Sequence, residues 1–378
     1  MPFSISCPTK IYFGAGTHRK LAEVLPQGIG AVILVKGRSD QTSAPVRAVL
    51  KEAGITVRAV SCSGEPTIAS VNIAWELVRA EPCACIVVCG GGSAIDTGKA
   101  LAVALAKGAP LTDDDFGINH SRSGGPALIA LPTTAGTGSE VTSNAVLGAD
   151  GSRAKISLRG AALQPSIALV DPDLMRGAPK SVVLFSGLDA VVQNIEAYTS
   201  AYATPFTRAL SGPAIGATLS ALQDVIADDT SEAWSQMAWG SLSSGIALAN
   251  GGLGAAHGLA SILGGAYDAP HGGLCGRLLT PVLRANIASP HCTPQIREGL
   301  MMCQQAITDR FAPTDRSDPF PGFEDWLGAQ GLPRLSDWGV AADEVDALAV
   351  AARTASSTLK NAVTLEAGEL AKILRDAL

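Results

Sequence analysis

Five short runs of apolar and β-branched residues punctuate the first half of the chain: 31–35, 57–60, 85–89, 127–131 and 167–171. Runs of this length with few polar positions suit strands buried on both faces, because each side of such a sheet must meet a covering layer. Glycine-rich turns or helix-compatible segments separate them. The first half therefore predicts a sheet covered on both faces, an α/β nucleotide-binding arrangement in outline. From about Pro179 the texture changes to Ala, Leu, Ser and acidic residues, and the segments 181–202 and 231–265 carry apolar positions at helical spacing, the second loosened by glycines. This half predicts a helical domain. The boundary falls near 172–180, where two prolines, a glycine and a capping serine interrupt both patterns, dividing the chain into 1–175 and 176–378. The stretch 310–340, dense in Pro, Gly and Asp, is expected to be the irregular one.

A chain of 378 residues is long for one core, and 47% hydrophobic against 16% charged residues fits a packed enzyme with apolar surface left for a partner subunit. A net charge of -6 with no dense Lys/Arg run gives no footprint for nucleic acid. The apolar stretches are short and broken, and no leader-like segment opens the chain, so no membrane association and a cytoplasmic location are expected. The eight cysteines are too dilute for a secreted disulfide framework. Cys83, Cys85 and Cys89 alternate along one extended segment, where cysteines usually serve as small hydrophobes rather than metal ligands.

Two loops carry candidate chemistry. After the run ending at Cys89 come Gly90, Gly91, Gly92 and Ser93, followed by a helix-like segment. Glycines let a backbone approach a pyrophosphate, and the N–H groups and dipole of a helix start favour its charge. The same sequence also suits a purely steric turn. Asp96 and Lys99, early in that helix, are either a ligand contact or a buried structural pair. The next apolar run leads into a second loop containing Thr133, Thr134 and Thr137, rich in hydroxyls and backbone donors. Two such loops after successive strands would meet at one sheet edge, which strengthens the nucleotide reading.

In the second half, Asp189 and Gln193 stand four apart and share a helix face, while His257 and His271 stand fourteen apart. One carboxylate, one amide oxygen and two imidazoles suit a divalent metal with a position left for substrate; core histidines are the alternative.

The motifs FGAGT, GGGSAIDTGKA, PTTAGTGSEVT, SGLDAVVQNIEAY, NGGLGAAHGLA and LGGAYDAPHG, with the tail KNAVTLEAGELAKIL, occur in an order and spacing that resembles the iron-containing (group III) alcohol dehydrogenase family over nearly the whole chain. The resemblance implies a Rossmann-like N-terminal domain plus an all-helical C-terminal domain, the fold shared with dehydroquinate synthase, with cofactor and metal in a cleft. It implies metal ligands at Asp189, Gln193, His257 and His271, where the family pattern has histidine in place of Gln193. An amide oxygen weakens binding of Fe²⁺ or Zn²⁺. A second departure is Ser261, where many relatives carry a histidine. The cofactor residues it implies are Gly91, Gly92, Ser93 and Asp96, then Thr133, Thr134 and Thr137, with Lys155 near the nicotinamide ribose and Leu174 lining the cofactor cleft.

Many NAD-preferring relatives place an Asp at the end of the second apolar strand, whereas this chain reads Lys36, Gly37, Arg38, Ser39. Losing the repulsion of a 2′-phosphate favours NADP over NAD. The implied reaction is interconversion of a small aldehyde or ketone with its alcohol by hydride transfer, assisted by Fe or Zn or, without metal, by His257 or His271 as catalytic proton or hydrogen-bond donor. A maleylacetate reductase-like enzyme with weak metal dependence, an acidic aldehyde substrate contacted by Arg277 or Lys155, a dehydroquinate synthase-like lyase, and a metal-free cofactor-binding protein are the alternatives. A homodimer or larger homo-oligomer is expected.

Overall fold

The computed structural model describes residues 2–80, 84–122, 124–149, 155–312 and 318–378. Residues 7–178 form one compact unit, and residues 179–378, with the short segment before Cys7, form another.

The first unit is built on a six-stranded sheet, all parallel, in the order β1-β8-β5-β4-β2-β3. Its strands are β1 (Lys10–Phe13), β2 (Ala31–Lys36), β3 (Thr56–Ser61), β4 (Cys85–Gly90), β5 (Ala127–Pro132) and β8 (Ile167–Val170). β6 (Asn144–Gly148) and β7 (Lys155–Arg159) form a separate antiparallel hairpin. All five expected strands are present; β1 and the hairpin are additional.

Alternation along β4 shows why the sheet is covered twice. Ile86 and Val88 enter one apolar cluster with Ile33, Val35 and Leu128, while Cys85, Val87 and Cys89 enter the other with Val32, Leu34, Ile129 and Leu131. The first face lies under α3 (Ile68–Val78) and α4 (Gly92–Lys107), the second under α1 (Leu21–Val24) and α2 (Asp40–Glu52). Cys85 and Cys89 are hydrophobes here, and burial pushes the Cys89 thiol up to about 12; Cys83 lies outside the described residues.

The strand order reverses between β2 and β4, so the backbone ends after Lys36 and Gly90 flank a switch point at the carboxyl edge of the sheet. Close approach of α4 to that edge requires glycine. A Cβ on Gly98 would lie 2.3 Å from Val88 Cγ2, and one on Gly90 would lie 2.4 Å from Ala94 Cβ.

The second unit is helical: α5 (Lys180–Thr199), α6 (Pro205–Asp228), α7 (Ser231–Gly251), α8 (Ala255–Tyr267), α9 (His271–Ala288), α10 (Pro294–Arg310), α11 (Pro321–Ala329), α12 (Val345–Ala352) and α13 (Ala367–Ala377). The glycines of 231–265 divide that segment into α7 and α8, which meet at 99°. Of the stretch 310–340, residues 313–317 lie outside the described residues, and the described part contains one whole α-helix, α11, among turns. Pro321 sits in the first turn of α11, where its missing N–H costs no helix bond, and Phe323 and Leu327 bury one face. No single helix among the described residues is long and apolar enough to cross a membrane.

α5 packs against α6, α7 and α9, and small residues set the distance. A Cβ on Gly272 would meet the Phe185 carbonyl oxygen at 2.0 Å, and one on Gly276 would meet Leu188 Cδ1 at 2.6 Å. These two glycines seat α9 directly on α5, next to Asp189.

Candidate active site

One face of α5 carries Asp189, Gln193 and Glu196, at i, i+4 and i+7, and all three are buried. Glu196 organises the start of α8. Its Oε1 accepts the Ala256 N–H at 2.7 Å, and its Oε2 accepts the Gly254 N–H at 2.9 Å. α8 has no side-chain cap from its own Gly254, so this buried carboxylate satisfies donors that a helix start leaves open. The same Glu196 Oε2 lies 2.7 Å from Nδ1 of His257, in the first turn of α8.

With Nδ1–H donating to Glu196, the other nitrogen of His257 is turned toward Asp189, at 3.2 Å from Oδ1. His271, the first residue of α9, brings its Nε2 to 3.9 Å from the same oxygen. One helical turn later, Cys275 places Sγ 3.6 Å from His271 Nε2. Asp189, His257, His271 and Cys275 thus present four ligand atoms within 4.8 Å of one another. Three are buried, whereas His271 is 35% exposed.

The cluster is electrostatically coupled. Burial pushes the Asp189 carboxyl up, but the His257 hydrogen bond, the two imidazolium charges and the Gln193 amide override it and hold it below the usual range. Burial works against a charge on His257, yet Cys275, Asp189 and Glu196 raise it well above an ordinary imidazole. Cys275 is likewise pushed up by burial and pulled down further by the two histidines, ending below an ordinary thiol.

The structure brings Asp189, His257 and His271 together. Gln193 is beside them, but its Oε1 lies 2.8 Å from the Ser244 hydroxyl. Glu196 and Cys275 complete the arrangement and are not anticipated from sequence, although the i+7 spacing from Asp189 and the i+4 spacing from His271 were available signals. Ser261 is exposed and bonds back to the Gly258 carbonyl at 2.7 Å. Arg277, a candidate anion contact, donates instead to the Pro333 and Leu332 carbonyls.

In the first unit, Gly91 caps α4 with no side chain, and the Ala94 and Ile95 N–H groups turn back to its carbonyl. Its φ of -73° is open to any residue; steric room is what excludes a side chain. A Cβ on Gly91 would touch Thr134 at 3.1 Å, and one on Gly92 would lie 2.7 Å from Thr137 Cγ2. The two expected loops therefore do meet, with Ser93 on the turn and Thr133 bonded through its N–H to the Gly90 carbonyl.

Four candidate cofactor contacts, Asp96, Lys99, Lys155 and Leu174, have partners within the protein. Asp96 accepts from the Ser139 hydroxyl at 2.7 Å and the Val146 N–H at 2.9 Å. Lys99, fully buried, donates to Ser139, Thr142 and the Asn144 carbonyl, so Ser139 bridges the two charges in place of a direct ion pair. Burial brings Lys99 down to about 8 despite the Asp96 charge. Lys155 pairs with Glu65 at 2.5 Å. Leu174 is 5% exposed and packs in the apolar cluster with Leu131 and Leu169.

Comparison with known proteins agrees with this fold. Residues 8–172 match the model of iron-containing alcohol dehydrogenase, and residues 183–378 match that of the Fe-containing alcohol dehydrogenase family, C-terminal. The chain belongs to the iron-containing alcohol dehydrogenase family of oxidoreductases. It is 37% identical to the 1,3-propanediol dehydrogenase of Klebsiella pneumoniae, over 66% of this chain and 65% of that one. It is 33% identical to alcohol dehydrogenase 4 of Schizosaccharomyces pombe, over 66% of this chain and 60% of that one. Both alignments span less than two thirds of the relative's own length. A crystal structure of 1,3-propanediol oxidoreductase superposes with a TM-score of 0.88 at 29% identity, covering 100% of each chain.

Proposed function

We propose that this chain reduces small aldehydes or ketones to alcohols, and catalyses the reverse, by hydride transfer with a nicotinamide dinucleotide, NADP in preference to NAD, with a divalent metal bound in the second unit. The observation that carries this reading is the buried Asp189, His257 and His271 cluster, in which Glu196 fixes the tautomer of His257 so that Nε2 faces Asp189. That donor set suits a divalent cation. When bound, the metal supplies Lewis acidity toward the carbonyl oxygen.

The residues have distinct tasks. Gly91, Gly92 and the uncapped start of α4 take the pyrophosphate, with Ser93, Thr134 and Thr137 offering hydroxyls. Asp189 and His257, buried and tied to each other, hold position. His271, the most exposed of the three, stands nearest to substrate as a ligand of the metal; without metal, its imidazole supplies the hydrogen bond or proton to the oxygen that gains charge as hydride arrives at the carbonyl carbon. Cofactor oxidation followed by nicotinamide absorbance across a panel of aldehydes tests the reading. No progressive change with any carbonyl would favour a lyase or a binding protein.

NADP preference is supported at the end of β2. Gly37 itself brings no carboxylate to the position where many NAD-preferring relatives have Asp, and a Cβ there would meet nothing within 4 Å. Lys36 is 5% exposed and pairs with Asp40 at 3.1 Å, which leaves exposed Arg38 as the cation offered there. Gly37→Asp is therefore expected to fold normally and to shift the ratio of kcat/KM for NADPH over NADH by about tenfold or more toward NADH, equivalent to ~1.4 kcal/mol. Steady-state kinetics with both cofactors checks it, and an unchanged ratio removes Gly37 from cofactor choice.

Gly92→Ala forces a methyl to within 2.7 Å of Thr137 Cγ2 and 2.9 Å of its Oγ1, which accepts the Ser139 N–H. The second loop must move to relieve this contact. Weaker nucleotide binding, by about tenfold (~1.4 kcal/mol), is expected in fluorescence titration with NADPH, with zinc binding unaltered.

A further inference from the structure

The four donor atoms of the second unit can be compared with the edges of a tetrahedron. Zinc bond lengths of about 2.0–2.1 Å to nitrogen, about 2.0–2.2 Å to oxygen and about 2.3 Å to sulfur put oxygen–nitrogen edges at about 3.3 Å and sulfur–nitrogen edges at about 3.6 Å. Asp189 Oδ1 to His257 Nε2 is 3.2 Å, and Cys275 Sγ to His271 Nε2 is 3.6 Å. Asp189 Oδ1 to His271 Nε2, at 3.9 Å, needs to shorten by a fraction of an ångström. The place of Cys275 is built: it lies one turn beyond His271 on a helix that Gly272 and Gly276 seat against α5, and it is fully buried. Gln193, by contrast, sets its Oε1 against the Ser244 hydroxyl and its amide hydrogen-bonds to Asp189, so it holds a ligand rather than acting as one.

We propose that Cys275, as a thiolate, is the fourth protein ligand of this site in place of Gln193, and that the resulting one-oxygen, two-nitrogen, one-sulfur set favours zinc over iron. The proposal rests on the preceding reading that the cluster holds a metal. On binding, the thiol proton leaves to solvent and one sulfur–metal bond forms, with no change of oxidation state. Thiolate is the softest ligand available and suits four-coordinate zinc, which can expand to a fifth position for the carbonyl oxygen that the proposed function requires, whereas an all-oxygen-and-nitrogen set would not discriminate against Fe²⁺ in this way.

The test uses the 378-residue chain stripped with chelator and reloaded with Co²⁺. The wild type is expected to show a near-ultraviolet thiolate-to-cobalt charge-transfer band. Cys275→Ala and Cys275→Ser lose that band and bind zinc about two orders of magnitude more weakly (~2.8 kcal/mol), whereas Gln193→Ala keeps the band. The double variant Gln193→His with Cys275→Ala, checked for folding by its thermal melt, recovers metal affinity without the band. A cobalt-loaded wild type lacking the band, or Cys275→Ala binding zinc as tightly as wild type, overturns the proposal and leaves the metal reading intact. A wild type that takes up neither cobalt nor zinc overturns both, and the separate hydride-transfer assay then decides whether the dehydrogenase reading survives.

Discussion

His271→Ala is expected to lower kcat for carbonyl reduction by roughly 10²–10⁴-fold, the range associated with losing a positioned proton donor. The asymmetry between the two histidines argues for this position. His257 is 4% exposed and is fixed by Glu196 on one nitrogen and Asp189 on the other, so it has no free edge to offer a substrate. His271 is 35% exposed, starts α9, and touches Asp189 and Cys275 through one nitrogen only. The loss corresponds to about 3–5 kcal/mol of transition-state stabilisation. Affinity for NADPH, measured by titration without substrate, should stay near wild type, because the groups assigned to the nucleotide lie on other elements. A rate equal to wild type would remove His271 from the chemistry whether or not a metal is bound.

The glycine turn is readable because its information is local: an apolar strand, glycines and a helix follow one another between Cys85 and Lys107, and sterics at Gly90, Gly91 and Gly92 show why no side chain stands there. The surroundings of Lys99 were not readable. Its three acceptors come from Ser139, Thr142 and Asn144, more than forty positions later in most cases, and only the fold of the second loop brings them beneath α4. β1 and the β6–β7 hairpin are short edge or separate elements with mixed polarity, so they lack the continuous apolar run that marks β2, β4 and β5.

In the second unit, helical spacing made Asp189 and Gln193 legible as a pair. The same spacing extended one step further reaches Glu196, and from His271 it reaches Cys275. Neither carries weight in isolation: a glutamate in a helix is ordinarily a solvated face and a buried cysteine is ordinarily a small hydrophobe. What converts both into site residues is the placement of α8 and α9 against α5, a long-range fact set by glycine contacts such as Gly272 on Phe185 and Gly276 on Leu188.

Glu196→Ala carries the second large effect, on stability rather than on chemistry. The substitution leaves Gly254 N–H, Ala256 N–H and the His257 ring N–H without their acceptor in a location where the two side chains are 4% and 5% exposed. Water cannot easily replace the carboxylate there. Breaking a buried charged pair by removing one partner costs about 3–5 kcal/mol, so urea denaturation of the metal-free protein should show a loss of that size. Glu196→Gln retains an oxygen but forfeits the charge and one acceptor, and a smaller loss of about 1–3 kcal/mol follows from leaving a buried donor unmet. Because the same carboxylate sets the tautomer of His257, both variants should also bind zinc more weakly, by about 10–100-fold. The two readouts separate the roles. Weakened zinc binding with wild-type stability would mean that Glu196 only orients the imidazole, and lost stability with unchanged zinc affinity would mean that it only caps α8. Wild-type values for both would show that the α5–α8 junction is held by other contacts, and that His257 needs no partner behind it.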